Sequence, residues 1–199
     1  MPRKQRICIP EHTYHATSRC IEKRHLMHSD EMKELMLSVL EMALEKYHFE
    51  LINYTLMGNH FHFLIRTLNG GESISRIMQF IKSQFARRYN RIMNRTGPFW
   101  NERFSDTIIE LAPEPVAMFF MILLYMAFNP VKSGIVTDPR KYRYGGIHCY
   151  LDKEYIPPVT ITLHEYFLNL GATFEERIKK FLEIEANYKK RIFPDGVFA

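Results

Sequence analysis

Residues 49–67 read Phe49-Glu50-Leu51-Ile52-Asn53-Tyr54-Thr55-Leu56, then Met57-Gly58, then Asn59-His60-Phe61-His62-Phe63-Leu64-Ile65-Arg66-Thr67. Two β-rich runs separated by a glycine-containing dipeptide predict an antiparallel hairpin, since glycine tolerates tight-turn geometry. In the second run Phe61, Phe63 and Ile65 alternate onto one face, which predicts a core face. His60 and His62 fall with Leu64 on the other face, about 7 Å apart along the strand. Two imidazoles so placed can share one divalent cation. The bare triplet is weak, because nine histidines in 199 residues give about 0.4 H-x-H triplets by chance. The core face behind it is what favours a metal site. His12 with His15, and His25 with His28, lack that setting and read as surface residues.

On the N-terminal side, 12–20 is rich in β-formers and reads as a first strand. Ser29-Asp30-Glu31 offers an N-cap with acids in the first turn. Met32, Leu35, Met36, Val39, Leu40 and Ala43 follow at helical spacing, predicting a helix over 30–47. On the C-terminal side, Asn69-Gly70-Gly71 breaks the chain. Ile74, Ile77, Met78, Ile81, Phe85 and Ile92 then mark one face of a helix from Ser73 to about Asn94. A fourth strand is expected within 103–111. Pro113 and Pro115 suit the first turn of a third helix, expected to close at Asn129-Pro130 because the residue before proline is pushed from helical geometry. Beyond Gly134 the chain turns loop-like, and two helical patterns at 163–169 and 173–192 finish it. The order β-α-β-β-α-β-α predicts an α+β domain with an antiparallel sheet and helices on one face, ferredoxin-like in outline. Pro157-Pro158 is the expected boundary between a domain of residues 1–150 and a small helical appendage, 157–199.

The chain length fits one domain with a short addition. Apolar residues make up 46% and charged residues 25%, the balance of a globular protein with a core. No run reaches the ~18 consecutive apolar residues of a membrane span. The start, Met1-Pro2-Arg3-Lys4-Gln5-Arg6, is basic but lacks the apolar stretch of an export signal, so a cytoplasmic, nucleoid-associated protein is expected. Cys8, Cys20 and Cys149 are scattered, which argues against a disulfide framework or a cysteine zinc site. The net charge of +5 is modest. Its distribution says more, because Arg76, Lys82, Arg87, Arg88, Arg91, Arg95 and Arg103 face only Glu102 within 76–103.

Two further features bear on chemistry. Tyr125 lies in a helix that is apolar nearly all round, and on that segment alone it reads as a core tyrosine. Asn129 is one turn away on the same face, so amide and hydroxyl need partners, and a metal ion on the histidines would be one. On the basic helix, Arg76, Arg87 and Arg91 fall within about 60° of arc away from the apolar stripe, with Arg88 and Arg95 nearer it. This is either a solvated face or a phosphate-binding one, and arginine is the better phosphate fork. Phe99, Trp100 and Phe104 are either base-stacking groups or core.

Taken in order, five segments resemble the single-tyrosine HUH transposases, most closely their REP-associated tyrosine transposase branch. They are 14–19 (Tyr-His-Ala-Thr-Ser-Arg), 59–64 (Asn-His-Phe-His-Phe-Leu) and 86–90 (Ala-Arg-Arg-Tyr-Asn). Arg95-Thr96-Gly97 with Trp100 and Arg103-Phe104 follows, and then Tyr125 ahead of 129–134 (Asn-Pro-Val-Lys-Ser-Gly). The likeness covers about residues 10–150. It implies His60 and His62 as metal ligands, Tyr125 as nucleophile, and Asn129 at the position of a third ligand. The absence of a second tyrosine one turn from Tyr125 fits the single-tyrosine class. The implied nucleic-acid contacts are Arg19, Arg76, Arg87, Arg88, Arg91, Trp100, Arg103 and Lys132.

The resemblance implies a ferredoxin-like homodimer and a DNA transesterase using Mg²⁺ or Mn²⁺. Such an enzyme would cleave and rejoin single-stranded DNA next to hairpins through a 5′-phosphotyrosine. Two other functions fit the same residues: a hairpin-binding module that does not cut, and a small metal-dependent hydrolase. Residues 157–199 fall outside the resemblance.

Overall fold

A computed structural model of the chain describes residues 6–193; the basic start at 1–5 and residues 194–199 lie outside the described residues. The strands are β1 (Thr13–Arg19), β2 (Phe49–Leu56), β3 (His60–Thr67) and β4 (Ser105–Ile108). The helices are α1 (Asp30–Lys46), α2 (Ile74–Ile92), α3 (Pro115–Lys132), α4 (Glu165–Leu168) and α5 (Phe174–Ile192). All strand pairings are antiparallel, in the order β2-β3-β1-β4, the expected ferredoxin-like arrangement. Helix starts follow local chemistry. Ser29 accepts from the Met32 amide and Ser73 from the Arg76 amide, each satisfying an otherwise orphan donor.

Helices cover both faces of the sheet, not one. Phe61, Phe63, Ile65, Tyr14 and Ala16 share a core with the apolar stripes of α1 and α2. On the opposite face Leu64 and Ile52 pack with α3 through Phe119, Leu123 and Phe128. The expectation of a single covered face fails because α3 carries far more apolar surface than one side of a half-exposed helix needs, and it buries Phe119, Leu123 and Phe128 on the second face while a narrow stripe through Met121 and Tyr125 stays exposed. α3 is long and apolar enough to cross a membrane by composition, but over half of it is buried inside the protein. After Pro157-Pro158 the chain first places Val159 in the core with α1 and α2, and from Leu163 on it belongs to this second core, where Phe167 and Phe181 pack with Phe119, Phe120 and Tyr150.

A β-bulge re-phases β2. Its register with β3 shifts between Leu51 and Asn53, so Leu51 and Tyr54, three residues apart, reach the same core. At the hairpin, Gly58 is absent from the residues with positive φ. Glycine is used there for close approach, since a Cβ would stand 2.8 Å from His25 Nδ1. α3 also outruns its expected end and continues through Pro130 to Lys132. Proline removes the donor that Met126 carbonyl would receive, and the buried Thr55 hydroxyl donates to that oxygen at 3.1 Å.

Candidate active site

The β1–β3 register sets Thr17 opposite His62 and Arg19 opposite His60. Strand alternation therefore puts His15, Thr17 and Arg19 of β1 on the same face as the two histidines. The His60 and His62 rings stand 5.1 Å apart between centroids, nearly perpendicular. α3 crosses this face, and Tyr125 reaches the same spot: its ring lies 5.4 Å from His62 and 6.2 Å from His15, edge-on to both. Tyr125 is 37% exposed, which rules out the core-tyrosine alternative. Its hydroxyl has no hydrogen-bond partner among the described residues. One turn on, Asn129 Nδ2 lies 3.2 Å from His62 Nε2. These side chains line an open cleft of about 680 Å³ whose wall includes Arg19, Lys23 and Arg103.

Burial keeps the imidazoles neutral. It lowers His60 to about 4, helped by the positive charge of Arg19, and lowers His15 to about 4. His62, the most enclosed, is held well below the usual histidine range by burial and then by its neighbours His15, His60 and Arg19. Neutral nitrogen is what a metal requires, so His60 and His62, with the Asn129 amide beside them, are the residues that could hold a divalent cation.

His15, expected at the surface, is a member of the site. Its Nε2 lies 3.0 Å from His62 Nδ1, with the two rings within 11° of parallel. Strand alternation alone puts His15 and Arg19 on one face of β1, but only the β1–β3 register brings that face to the H-x-H pair. Asn59 is a second member that the sequence did not single out, and its Oδ1 lies 2.6 Å from His60 Nδ1.

The other candidates divide between places. Arg19 and Arg103 line the cleft, and Lys132 Nζ stands 5.7 Å over the Tyr125 ring. Arg76 lines an adjoining groove with Lys82, Trp100 and Arg103, where burial lowers Lys82 to about 8. Arg87 and Arg91 are exposed on α2, across the sheet from the cleft. Arg88 is tied to Gln84 and to Met42 Sδ, a structural role. Trp100 is mostly core, its ring against Phe61 and Phe99 and its Nε1 donating to Lys82 carbonyl at 2.9 Å. Phe99 is buried, and Phe104 lies under the Arg6 guanidinium.

A ferredoxin-like sheet with a H-x-H pair on a central strand, faced by an accessible tyrosine on a helix, defines the class of single-tyrosine transposase-like proteins. Residues 8–117, more than half of the chain, match the family described as "Transposase IS200 like", and the chain belongs to that family. A curated relative from Haemophilus influenzae that carries the name of a REP-associated tyrosine transposase is 25% identical over 133 residues. The match covers 60% of this chain and 71% of that one. A solved structure of a REP-associated tyrosine transposase bound to a REP hairpin shares the fold, with a TM-score of 0.64 and 18% identity. It covers 81% of this chain and 92% of the other.

Proposed function

We propose that the protein is a metal-dependent DNA transesterase that cuts and rejoins single-stranded DNA beside a hairpin. The observation that carries this reading is an exposed Tyr125 in the same cleft as His60 and His62. The Tyr125 oxygen attacks the scissile phosphorus and loses its proton to solvent. A phosphotyrosine bond forms on the 5′ side, and the 3′-oxygen departs and takes up a proton. The 3′-hydroxyl of a second strand then attacks the phosphotyrosine, restoring the phenol and joining DNA. Bond energy is conserved, so no nucleotide is consumed.

His60, His62 and Asn129 would hold Mg²⁺ or Mn²⁺, which when bound polarises the scissile phosphate and offsets charge developing on it. Arg19, Arg103 and Lys132 lie where they can grip phosphates beside Tyr125, and Arg76 extends that track into the adjoining groove. Arg87 and Arg91 offer a second phosphate surface on α2.

The hairpin-bound structure of similar fold supports a structured DNA substrate. The test is a denaturing gel with hairpin oligonucleotides carrying single-stranded flanks, with Mg²⁺ or Mn²⁺ present. A covalent protein–DNA band is expected from the wild type and is lost in Tyr125→Phe, which still binds the hairpin. Binding without any adduct across a hairpin panel would leave a non-cutting module.

A further inference from the structure

The hydrogen bonds around the two histidines point to where their ring protons sit. Asn59 Nδ2 donates to Lys23 carbonyl at 3.0 Å, and a carbonyl can only accept, so the amide orientation is fixed. Asn59 Oδ1 is then the atom facing His60 Nδ1, and the ring nitrogen must carry the proton. At His62, Nε2 faces the Asn129 amide nitrogen, which can only donate. With the Asn129 amide so oriented, Nε2 accepts, the ring proton sits on Nδ1, and Nδ1–H donates to His15 Nε2. Both rings end with an Nε2 lone pair free of its own proton.

We propose that His15 and Asn59 are positioning residues that set the His62 and His60 tautomers, so that neither Nε2 carries the ring proton. Neither touches the reacting atoms; each acts through the ring it binds. The role deepens the metal reading and rests on it for its purpose, since a ring protonated on Nε2 cannot donate that nitrogen to a cation. The geometry itself is present without a metal. His15 is joined to His62 from a different strand, so the β1–β3 register that makes the sheet also fixes the ring. Asn59 stands at the turn into β3 and ties His60 to the Lys23 backbone.

The test uses ¹⁵N NMR of the imidazole nitrogens in the full-length, metal-free protein at neutral pH. Wild-type His60 and His62 are both expected as Nδ1–H forms. His15→Ala should shift His62 toward an Nε2–H mixture, and Asn59→Ala should do the same to His60 alone. His15→Gln and Asn59→Asp, which keep an acceptor oxygen, should restore the wild-type forms. Mn²⁺ titration followed by EPR should show about 10- to 100-fold weaker binding in the two alanine variants. A wild-type His62 protonated on Nε2 would overturn the proposal with no variant needed. Wild-type tautomers that persist in both alanine variants would overturn it as well. Failure of the wild type to bind Mn²⁺, with the tautomers behaving as expected, would remove the metal reading and uphold the positioning roles.

Discussion

His60 and His62 show how burial prepares a site and costs stability in acid. In the folded chain burial keeps both rings neutral to well below the ordinary histidine pKa, with His60 at about 4. In the unfolded chain they take up protons near pH ~6.5. The unfolded state therefore binds more protons between these values, and stability falls as pH drops from about 6.5 to 4. Thermal melts of the metal-free protein should show this loss, and it should be shallower in the His60→Ala/His62→Ala double variant. Equal slopes would mean the buried histidines do not drive the effect. The same double variant should cut no DNA yet hold the hairpin with near wild-type affinity, because the histidines serve chemistry more than grip. Comparable adduct in wild type and variant would end the metal reading.

The third helix shows how one element is completed by another. Pro130 breaks its ladder near the end, but Thr55 of β2 supplies the donor that Met126 carbonyl lacks. Without that bond the helix would have reason to stop before Asn129, and the amide facing His62 would lose its support. Thr55→Val should destabilise by about 1–3 kcal/mol, the penalty of a buried carbonyl left unpaired. In a Pro130→Ala background the backbone N–H regained at that position can donate to Met126 carbonyl itself, so the same change should cost clearly less. Chemical denaturation of the four proteins measures the coupling, and additive costs would show that Thr55 does not serve this carbonyl.

Over the whole molecule, the two cores divide the labour. α1 and α2 back the sheet on one side, leaving the other for α3, the cleft and the C-terminal segment. Phe181 of α5 is fully buried against Phe120, Tyr150 and Phe167. Phe181→Ala should therefore cost about 3–5 kcal/mol in urea unfolding, as a core truncation does. A cost below about 1 kcal/mol would make 157–199 a loosely attached tail. Charge is divided in the same way, with Arg19 and Arg103 at the cleft and Arg87 and Arg91 across the sheet. Each Arg→Ala change among these four should weaken hairpin binding and lower its log–log salt slope by about one. An unchanged slope for Arg87 and Arg91 would make that face of α2 merely solvated.

Short-range patterns gave the elements their places. The Ser29 and Ser73 caps, the 3.6-residue stripes of α1 and α2 and the β3 alternation predict those boundaries within about two residues, and they set His60 and His62 on one face. These features depend on neighbours a few residues apart, so they are written along the chain. The register between β1 and β3 is not, because hydrogen bonding between strands is equally available in many offsets and only packing of the whole sheet selects one. That selection brought His15 from an apparent surface position to His62. The end of α3 was hidden for the same reason, since the donor that replaces Pro130's missing N–H comes from residue 55, far away in sequence. Residue types and periodicity determined the sheet, the helices and the histidine pair; tertiary packing decided what stands around that pair.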